Sequence, residues 1–197
     1  QLVERRGMAF GWTSWYNYYN EIDAGIIRKN LQAFTERGIP IDLFQIDDGW
    51  QPAVGDWLGS NDRFPDGMAP LAREIRAAGY IPGLWIAPFT AEESSEVCRN
   101  HADWIVRDEH GPVRAGYNPQ YWSGNFYGLD VLNPEVQEYV RLVIHRITRN
   151  WGFGLIKADF LYSAALVPRK GLSRGAIMHR AMRLLREAAG DIFLVID

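Results

Sequence analysis

The chain is poor in the features that mark secreted and membrane-spanning proteins. Cys98 is the one cysteine among its 197 residues, so no disulfide can form within the chain. No Asn-x-Ser/Thr glycosylation acceptor occurs, and residues 1–6 lack an apolar stretch of the length that a signal sequence needs. A cytoplasmic, reducing location is therefore expected.

The chain also lacks an excess of charge of either sign. The net charge is −3, with 21 basic and 24 acidic residues interspersed along the sequence. This balance disfavours nucleic acid and anionic membranes as partners. Aromatic residues, at 13%, are abundant, and 47% of all residues are hydrophobic. Such a chain can bury the core of one globular domain, and its rings can stack on the apolar faces of sugars as well as fill that core.

Apolar segments alternate with segments of helical period along the whole chain. Strand-like segments lie near residues 9–16, 42–50, 81–89, 127–131, 155–161 and 192–196, and helical ones near 23–37, 70–78, 93–106, 133–151 and 173–189. The long segment 107–126, rich in Gly, Pro, Asn and aromatics, is typical of a binding loop. Repeated βα units of this kind predict an α/β fold with a parallel sheet, open or closed into a barrel.

A carboxylate and an ammonium stand together at the end of the apolar run that precedes Phe160. Because side chains alternate across a strand, Lys157 and Asp159 share one face. A cation beside a carboxylate keeps it ionised, and an ionised, positioned carboxylate at a strand end is suited to be a glycosidase nucleophile. The same pair can equally be a structural ion pair.

Other strand-like segments also end in polar or aromatic residues. Asp47 and Asp48 close the second segment and are followed by Trp50, while Trp85 closes the third. Polar groups gathered at strand ends are typical of a parallel barrel, whose chemistry lies on the loops after its strands. Trp50 and Trp85 are therefore predicted to face a pocket, and Trp12 to lie in the core.

Paired carboxylates such as Asp47 and Asp48 can also bind Mg²⁺. No His-x-His and no third or fourth carboxylate stands at an adjacent strand end in a matching pattern. A sugar pocket is the favoured interpretation.

Five motifs occur in the order and spacing of a known family. They are Gly11-Trp12-Thr13-Ser14-Trp15-Tyr16, Gln45-Ile46-Asp47-Asp48-Gly49-Trp50, Gly83-Leu84-Trp85-Ile86-Ala87-Pro88-Phe89, Tyr127-Gly128-Leu129-Asp130 and Lys157-Ala158-Asp159-Phe160-Leu161. From about Phe10 to its last residue the chain resembles the α-galactosidases of glycoside hydrolase family 36, in the melibiase clan.

The resemblance implies a (β/α)8 TIM-type barrel, of which residues 1–197 would form a partial catalytic domain, truncated at its C-terminus after about five βα units. It implies retaining hydrolysis of terminal α-galactosides of the melibiose or raffinose type, without a cofactor or metal. Asp159 becomes the nucleophile. The implied substrate-binding residues are Lys157 beside it, Asp47 and Asp48 on the galactose 4- and 6-hydroxyls, and Trp15, Tyr16 and Trp85 in the pocket wall.

The family's acid/base is an Asp in an Arg-x-Gly-x-Asp segment, which this sequence does not contain. A retaining glycosidase needs two carboxyl groups about 5–5.5 Å apart. The second is therefore expected in the remainder of a longer parent chain, and this chain alone is expected to be inactive. Asp130 and Asp197 follow apparent strands, but their offsets do not fit, and a cap or strand-end hydrogen bond is expected of them. Galactosyl transfer to an acceptor sugar and non-catalytic sugar binding remain as alternatives.

Overall fold

The computed structural model describes residues 9–197, so residues 1–6, on which the signal-sequence expectation rests, lie outside it. The described part of the chain forms ten β-strands. They are β1 (Gly11–Thr13), β2 (Leu43–Ile46), β3 (Ile81–Ile86), β4 (Thr90–Glu92), β5 (Arg107–Asp108), β6 (Gly111–Pro112), β7 (Arg114–Asn118), β8 (Gly124–Gly128), β9 (Leu155–Ala158) and β10 (Phe193–Ile196).

Six α-helices accompany these strands. They are α1 (Trp15–Tyr18), α2 (Ala24–Glu36), α3 (Met68–Ala77), α4 (Glu96–Asn100), α5 (Pro134–His145) and α6 (Arg174–Ala189). A π-helical turn, Arg146–Asn150, extends α5, and a 3-10 helix, Leu161–Ala165, follows β9. Four helices begin at a polar residue whose side chain accepts a hydrogen bond from a backbone N–H of the first turn. These caps are Asp23, Ser95, Asn133 and Ser173.

Five strands form one parallel sheet in the order β1-β2-β3-β9-β10. Helices α2, α3, α5 and α6 lie in the connections between successive strands of this sheet. Gly83 of β3 stands opposite Gln45 of β2 and Leu155 of β9. A Cβ atom at Gly83 would lie 2.8 Å from Cδ2 of Leu155, so the side chains of both neighbours close over the glycine. The predicted α/β architecture with a parallel sheet is confirmed.

Residues 127–131 do not form the parallel strand that the sequence predicts. Strand β8 ends at Gly128 and pairs antiparallel with β4 and β7 in a separate three-stranded sheet. Strand β3 pairs directly with β9 over residues 83–86 and 155–158, so no strand lies between them. Residues 9–197 thus hold four strand–helix units and a fifth parallel strand, and the prediction of about five units is not confirmed.

Helix α4 is much shorter than the helix predicted over residues 93–106. The Ser95 hydroxyl caps this helix by accepting a hydrogen bond from the Cys98 N–H at 3.0 Å. After Asn100 the chain leaves the helix and runs along β8, where the Val106 N–H donates to the Gly128 carbonyl at 2.8 Å. Ile105 and Val106 are buried and pair with Leu129 and Gly128, so their apolar character reflects burial against this sheet and not a continuing helix. Residues 107–126, predicted as a binding loop, contain β5, β6, β7 and the start of β8.

One core cluster joins the buried faces of the helices to the strands. Ile27 of α2, Phe44 of β2 and Ile75 of α3 are fully buried in it. Trp12 packs against Phe44 with ring centroids 4.3 Å apart, in the core position predicted for it. Within residues 9–197, none of the helices has the length and apolar character required to cross a bilayer.

Candidate active site

A pocket of about 350 Å³ opens where the strands of the parallel sheet end. The chain segments that follow β1, β2, β9 and β10, the end of β3, and the turn between β7 and β8 form its wall. The seven residues that the family resemblance implies for the site all line it, together with five others. The lining residues are Trp15, Tyr16, Asp47, Asp48, Trp85, Asn118, Tyr121, Trp122, Lys157, Asp159, Phe160 and Asp197.

A larger cleft, of about 550 Å³, lies between α4 and the segment that follows β2. Its carboxylate Asp56 accepts hydrogen bonds from the backbone N–H groups of Glu96 and Val97 at 2.9 and 3.1 Å. Asp56 therefore caps α4, and none of the residues predicted for the site lines this cleft.

Lys157 of β9 and Asp159, which directly follows the strand, both face the pocket, as side-chain alternation predicts. The Lys157 ammonium lies 3.9 Å from Oδ2 of Asp159, 3.4 Å from Oδ2 of Asp47 and 3.3 Å from Oδ2 of Asp197. Burial alone would lower the pKa of Lys157, but the three carboxylates raise it above its ordinary value. The ammonium is therefore a fixed positive charge among three acids.

Both oxygens of the Asp159 carboxylate accept hydrogen bonds from N–H groups. The indole Nε1 of Trp85 donates to Oδ2 at 3.0 Å, and the backbone N–H of Phe160 donates to Oδ1 at 2.7 Å. Phe160 has a φ of 53°, in the left-handed region, which is uncommon for a residue with a large side chain. This backbone turn directs the N–H of Phe160 at the carboxylate that precedes it.

Asp47 is buried and held by three side-chain donors on one oxygen. Thr13, Gln45 and Lys157 donate to Oδ2 at 3.2, 2.7 and 3.4 Å. The other oxygen accepts the backbone N–H of Asp48 at 2.9 Å. The carboxylate therefore has a fixed orientation at the end of β2.

Asp48 is also buried, and each of its oxygens accepts one side-chain hydrogen bond. Gln51 donates to Oδ1 at 2.6 Å and the indole of Trp122 to Oδ2 at 2.8 Å. Burial raises the pKa of Asp48 to about 6, the two hydrogen bonds oppose that shift, and the negative charges of Asp47 and Glu92 add to it. Asp48 is thus a carboxyl group that changes charge in the mildly acidic range.

Aromatic rings form the rim of the pocket. Trp15 in α1 contacts the rings of Tyr19 and Tyr121 with centroids 5.4 and 5.1 Å away. Its neighbour Tyr16 is 81% exposed, so its ring is free to meet a ligand at the mouth. Rings in these positions can stack on a sugar.

The turn between β7 and β8 belongs to the segment predicted as a binding loop, but none of its residues was predicted individually for the site. The turn contributes Tyr121 and Trp122 to the pocket wall, and Asn118 at the end of β7 lies beside them. The available signal was the dipeptide Tyr121-Trp122 within a segment rich in Gly, Pro and Asn. Phe160, which directly follows the predicted nucleophile, is a second omission.

Trp50 does not face the pocket, and its prediction as a pocket residue is wrong. It is fully buried, with its ring between those of Trp57 and Trp151, at centroid distances of 5.9 and 5.6 Å. Its Nε1 donates to the backbone carbonyl of Trp85 at 2.9 Å. Trp50 thus supports the strand that carries a pocket residue.

The two further strand-end acids have different positions. Asp130 lies outside the pocket and accepts hydrogen bonds from Arg169 at 2.8 Å and Lys170 at 3.3 Å. Burial would raise its pKa, but these partners and the Leu132 N–H lower it. Asp197 lines the pocket through its contact with Lys157. Asp130 is thus engaged in a strand-end hydrogen-bond network of the kind expected.

No group of three or more His, Cys, Asp or Glu side chains suited to a metal ion occurs among residues 9–197. The pocket instead combines hydroxyl-accepting carboxylates, one ammonium and aromatic walls. Such an arrangement can bind a polyol and offer a carboxylate to an electrophilic carbon.

Several α-galactosidases are similar to this chain in sequence or in structure. The α-galactosidase TtGalA from Thermus thermophilus is 40% identical, with a TM-score of 0.85, and the match covers 95% of this chain and 37% of that one. The α-galactosidase AgaA of Geobacillus stearothermophilus is 27% identical over 180 residues, covering 85% of this chain and 23% of AgaA. A probable α-galactosidase C of Aspergillus flavus is 29% identical over 164 residues, covering 75% of this chain and 21% of its own length.

The chain therefore spans between 21% and 37% of the length of these three relatives. The family model described as Melibiase matches residues 8–183, which is most of the chain and includes all five motifs in full. The sequence resemblance is confirmed, and the chain belongs to the melibiase family.

Proposed function

We propose that this chain supplies the nucleophile and the galactose-binding carboxylates of an α-galactosidase that hydrolyses terminal α-galactosides with retention of configuration. The environment of Asp159 carries the proposal. Trp85 and the Phe160 N–H each donate to one carboxylate oxygen, and the ammonium of Lys157 lies 3.9 Å away. Donors of this kind orient a carboxylate for attack and stabilise the negative charge that returns to it when it leaves the sugar.

The reaction has two displacements. An oxygen of Asp159 attacks the anomeric carbon, the bond to the leaving oxygen breaks, and an acid gives that oxygen a proton. Water then attacks the galactosyl ester, the same group now takes a proton from the water, and Asp159 is released as a carboxylate. We propose that this acid/base belongs to the remainder of the parent chain, because the family's acid/base segment is absent from these 197 residues.

Asp47 and Asp48 are proposed to bind the galactose 4- and 6-hydroxyls. Each carboxylate oxygen has about two lone-pair sites. Both oxygens of Asp48 and Oδ1 of Asp47 each accept one hydrogen bond from the protein, so a sugar hydroxyl can be added to them without displacing a protein group. Lys157 would donate to a sugar oxygen beside the nucleophile, and Trp15, Tyr16 and Trp85 would enclose the ring.

The proposed substrates are oligosaccharides that end in α-galactose, of the melibiose and raffinose type. Structures of TtGalA hold p-nitrophenyl α-D-galactopyranoside and stachyose, and a structure of an AgaA variant holds raffinose. We also propose that the five parallel strands belong to a (β/α)8 barrel. The similarity to TtGalA, of which this chain covers 37%, supports that proposal.

Trapping of the covalent intermediate tests the function. The whole protein is treated with a fluorinated α-galactosyl inactivator that carries an activated leaving group, then digested and analysed by mass spectrometry. An ester on the peptide that contains Asp159 is expected, and the first galactose seen by proton NMR during turnover should be the α-anomer. A label on another residue, or the β-anomer appearing first, would contradict the proposal. Product analysis with added acceptor sugar distinguishes hydrolysis from transfer.

A further inference from the structure

The turn between β7 and β8 is fixed to the rest of the chain on both sides of Trp122. The side-chain amide of Asn20 donates to the Tyr121 carbonyl at 2.9 Å. The Ser123 N–H donates to Oε2 of Glu92 at 2.5 Å, while Oε1 of Glu92 accepts the Val54 N–H at 2.7 Å. The backbone on both sides of Trp122 is therefore held in place, and the Trp122 side chain lines the pocket.

Trp122 donates its indole N–H to a carboxylate that lies 74 positions earlier in the chain. The distance from Nε1 to Oδ2 of Asp48 is 2.8 Å, and the two side chains are 9% and 3% exposed. Gln51 holds the other oxygen. A buried hydrogen bond to a charged acceptor is among the stronger ones in proteins, so it fixes where Asp48 points.

The same indole ring contacts both residues that hold Asp159. Its centroid lies 4.7 Å from that of Phe160 and 6.5 Å from that of Trp85. Phe160 and Trp85 donate the two N–H groups that Asp159 accepts. Trp122 is thus in contact with the carboxylate proposed to bind galactose and with both supports of the proposed nucleophile.

We propose that Trp122 is a positioning residue that sets the geometry of Asp48 and Asp159 relative to each other. Its N–H orients Asp48, and its ring restrains the Trp85 and Phe160 side chains around Asp159. The expected effect of Trp122 on activity rests on the proposed function. The hydrogen bond from Trp122 to Asp48 does not, and it can be measured without an activity assay.

Trp104 provides a matched control within the same chain. Its Nε1 donates to Oε2 of Glu135 at 2.9 Å, and it is 7% exposed, so it also makes an indole–carboxylate hydrogen bond in a largely buried place. It does not line the pocket. Trp104→Phe therefore removes the same kind of bond without touching the site.

The kinetic test compares Trp122→Phe with Trp104→Phe in the whole protein. Trp122→Phe keeps a ring and loses the donor. We expect kcat/KM for p-nitrophenyl α-galactoside to fall about tenfold, with KM raised because Asp48 is no longer fixed. Trp104→Phe should leave kcat and KM at the wild-type values. Equal losses in both variants, or none in Trp122→Phe, would overturn the proposal.

A second measurement needs neither activity nor a folded variant of Trp122. The chain contains 8 tryptophans, whose indole N–H signals are followed by nitrogen-15 NMR between pH 5 and 8. The Trp122 signal should shift with a midpoint near the Asp48 pKa of about 6, and Asp48→Asn should abolish that shift while leaving the Trp104 signal in place.

The charged groups near Asp48 are Asp47, Glu92 and, across the pocket, Lys157, Asp159 and Asp197. Asp47→Asn therefore serves as a reference, because it changes the midpoint without removing the titration. Absence of a Trp122 shift that depends on Asp48 would overturn the proposal. Absence of galactosidase activity in a protein that shows the shift would contradict the proposed function alone.

Discussion

The ammonium of Lys157 lies 3.4 Å from Oδ2 of Asp47, although the two residues are 110 positions apart in the chain. The two side chains are 14% and 2% exposed. Because Asp159 is 3.9 Å from the same nitrogen, one cation links a proposed sugar-binding carboxylate to the proposed nucleophile. The contact joins the ends of β2 and β9, which are not neighbours in the sheet.

Loss of this cation should destabilise the protein. Lys157→Met keeps the length of the side chain and leaves buried Asp47 without its ion pair, which typically costs about 3 kcal/mol in the free energy of unfolding. Lys170→Met is the control, since Lys170 pairs with Asp130 at 3.3 Å but is 59% exposed. It should cost less than about 1 kcal/mol. Equal destabilisation by the two variants in urea denaturation would contradict this account.

Asp159→Ala should abolish turnover while the fold remains intact, because the covalent step loses its nucleophile. Azide should then restore part of the activity on an aryl galactoside with a good leaving group, since a small anion can occupy the space of the missing carboxylate. Circular dichroism checks that the fold is kept. Near-normal turnover by Asp159→Ala would show that another residue attacks the sugar.

Much of this site could be predicted because it depends on strand geometry. Alternation places Lys157 and Asp159 on one face, and parallel strands bring their carboxyl ends, including that of Asp47, to the same edge. The contact of Trp122 with Asp48 could not be predicted, since it depends on an antiparallel hairpin whose direction a period-2 pattern does not reveal. Trp50 was placed wrongly because a strand-end position does not determine to which side an indole turns.

Asp48 should make stability depend on pH. Its pKa is raised from 3.8 to about 6 in the folded protein, so between these values the folded state binds more protons than the unfolded state. Stability therefore falls as the pH rises through this window and stays lower above it. The effect is on the order of 3 kcal/mol at 1.36 kcal/mol for each pH unit between 3.8 and about 6.

Asp48→Asn tests this linkage. The neutral amide should remove the pH-dependent loss, so the stability of the variant minus that of wild type should be larger at pH 8 than at pH 4. Its kcat/KM should nevertheless fall about 10- to 100-fold, because a charge-assisted hydrogen bond to a sugar hydroxyl is lost. Wild-type kcat/KM should decline below about pH 6 as Asp48 gains a proton. Parallel stability profiles for the two proteins would refute the prediction.

Chelation should leave the activity unchanged. An ammonium 3.4 Å from Oδ2 of Asp47 already supplies the positive charge next to the paired carboxylates and would repel a divalent cation. Activity is measured after dialysis against EDTA and again after addition of Mg²⁺. A loss that Mg²⁺ reverses would favour the metal site that Asp47 and Asp48 could also form.

Gly128 is predicted to be essential because it lets the antiparallel sheet pack closely against the segment that follows the proposed nucleophile. A Cβ atom there would lie 2.0 Å from the carbonyl oxygen of Ser163, in the 3-10 helix that follows Phe160. Gly128→Ala should therefore destabilise the protein by about 3 kcal/mol, as overpacking against backbone does, and lower kcat by displacing the segment that holds Asp159. Gly59→Ala is the control, because no atom lies within 4 Å of its added Cβ. Similar melting temperatures for the two alanine variants would mean that the backbone at Ser163 can move to accommodate the added methyl group. The position of Asp159 would then not depend on this contact.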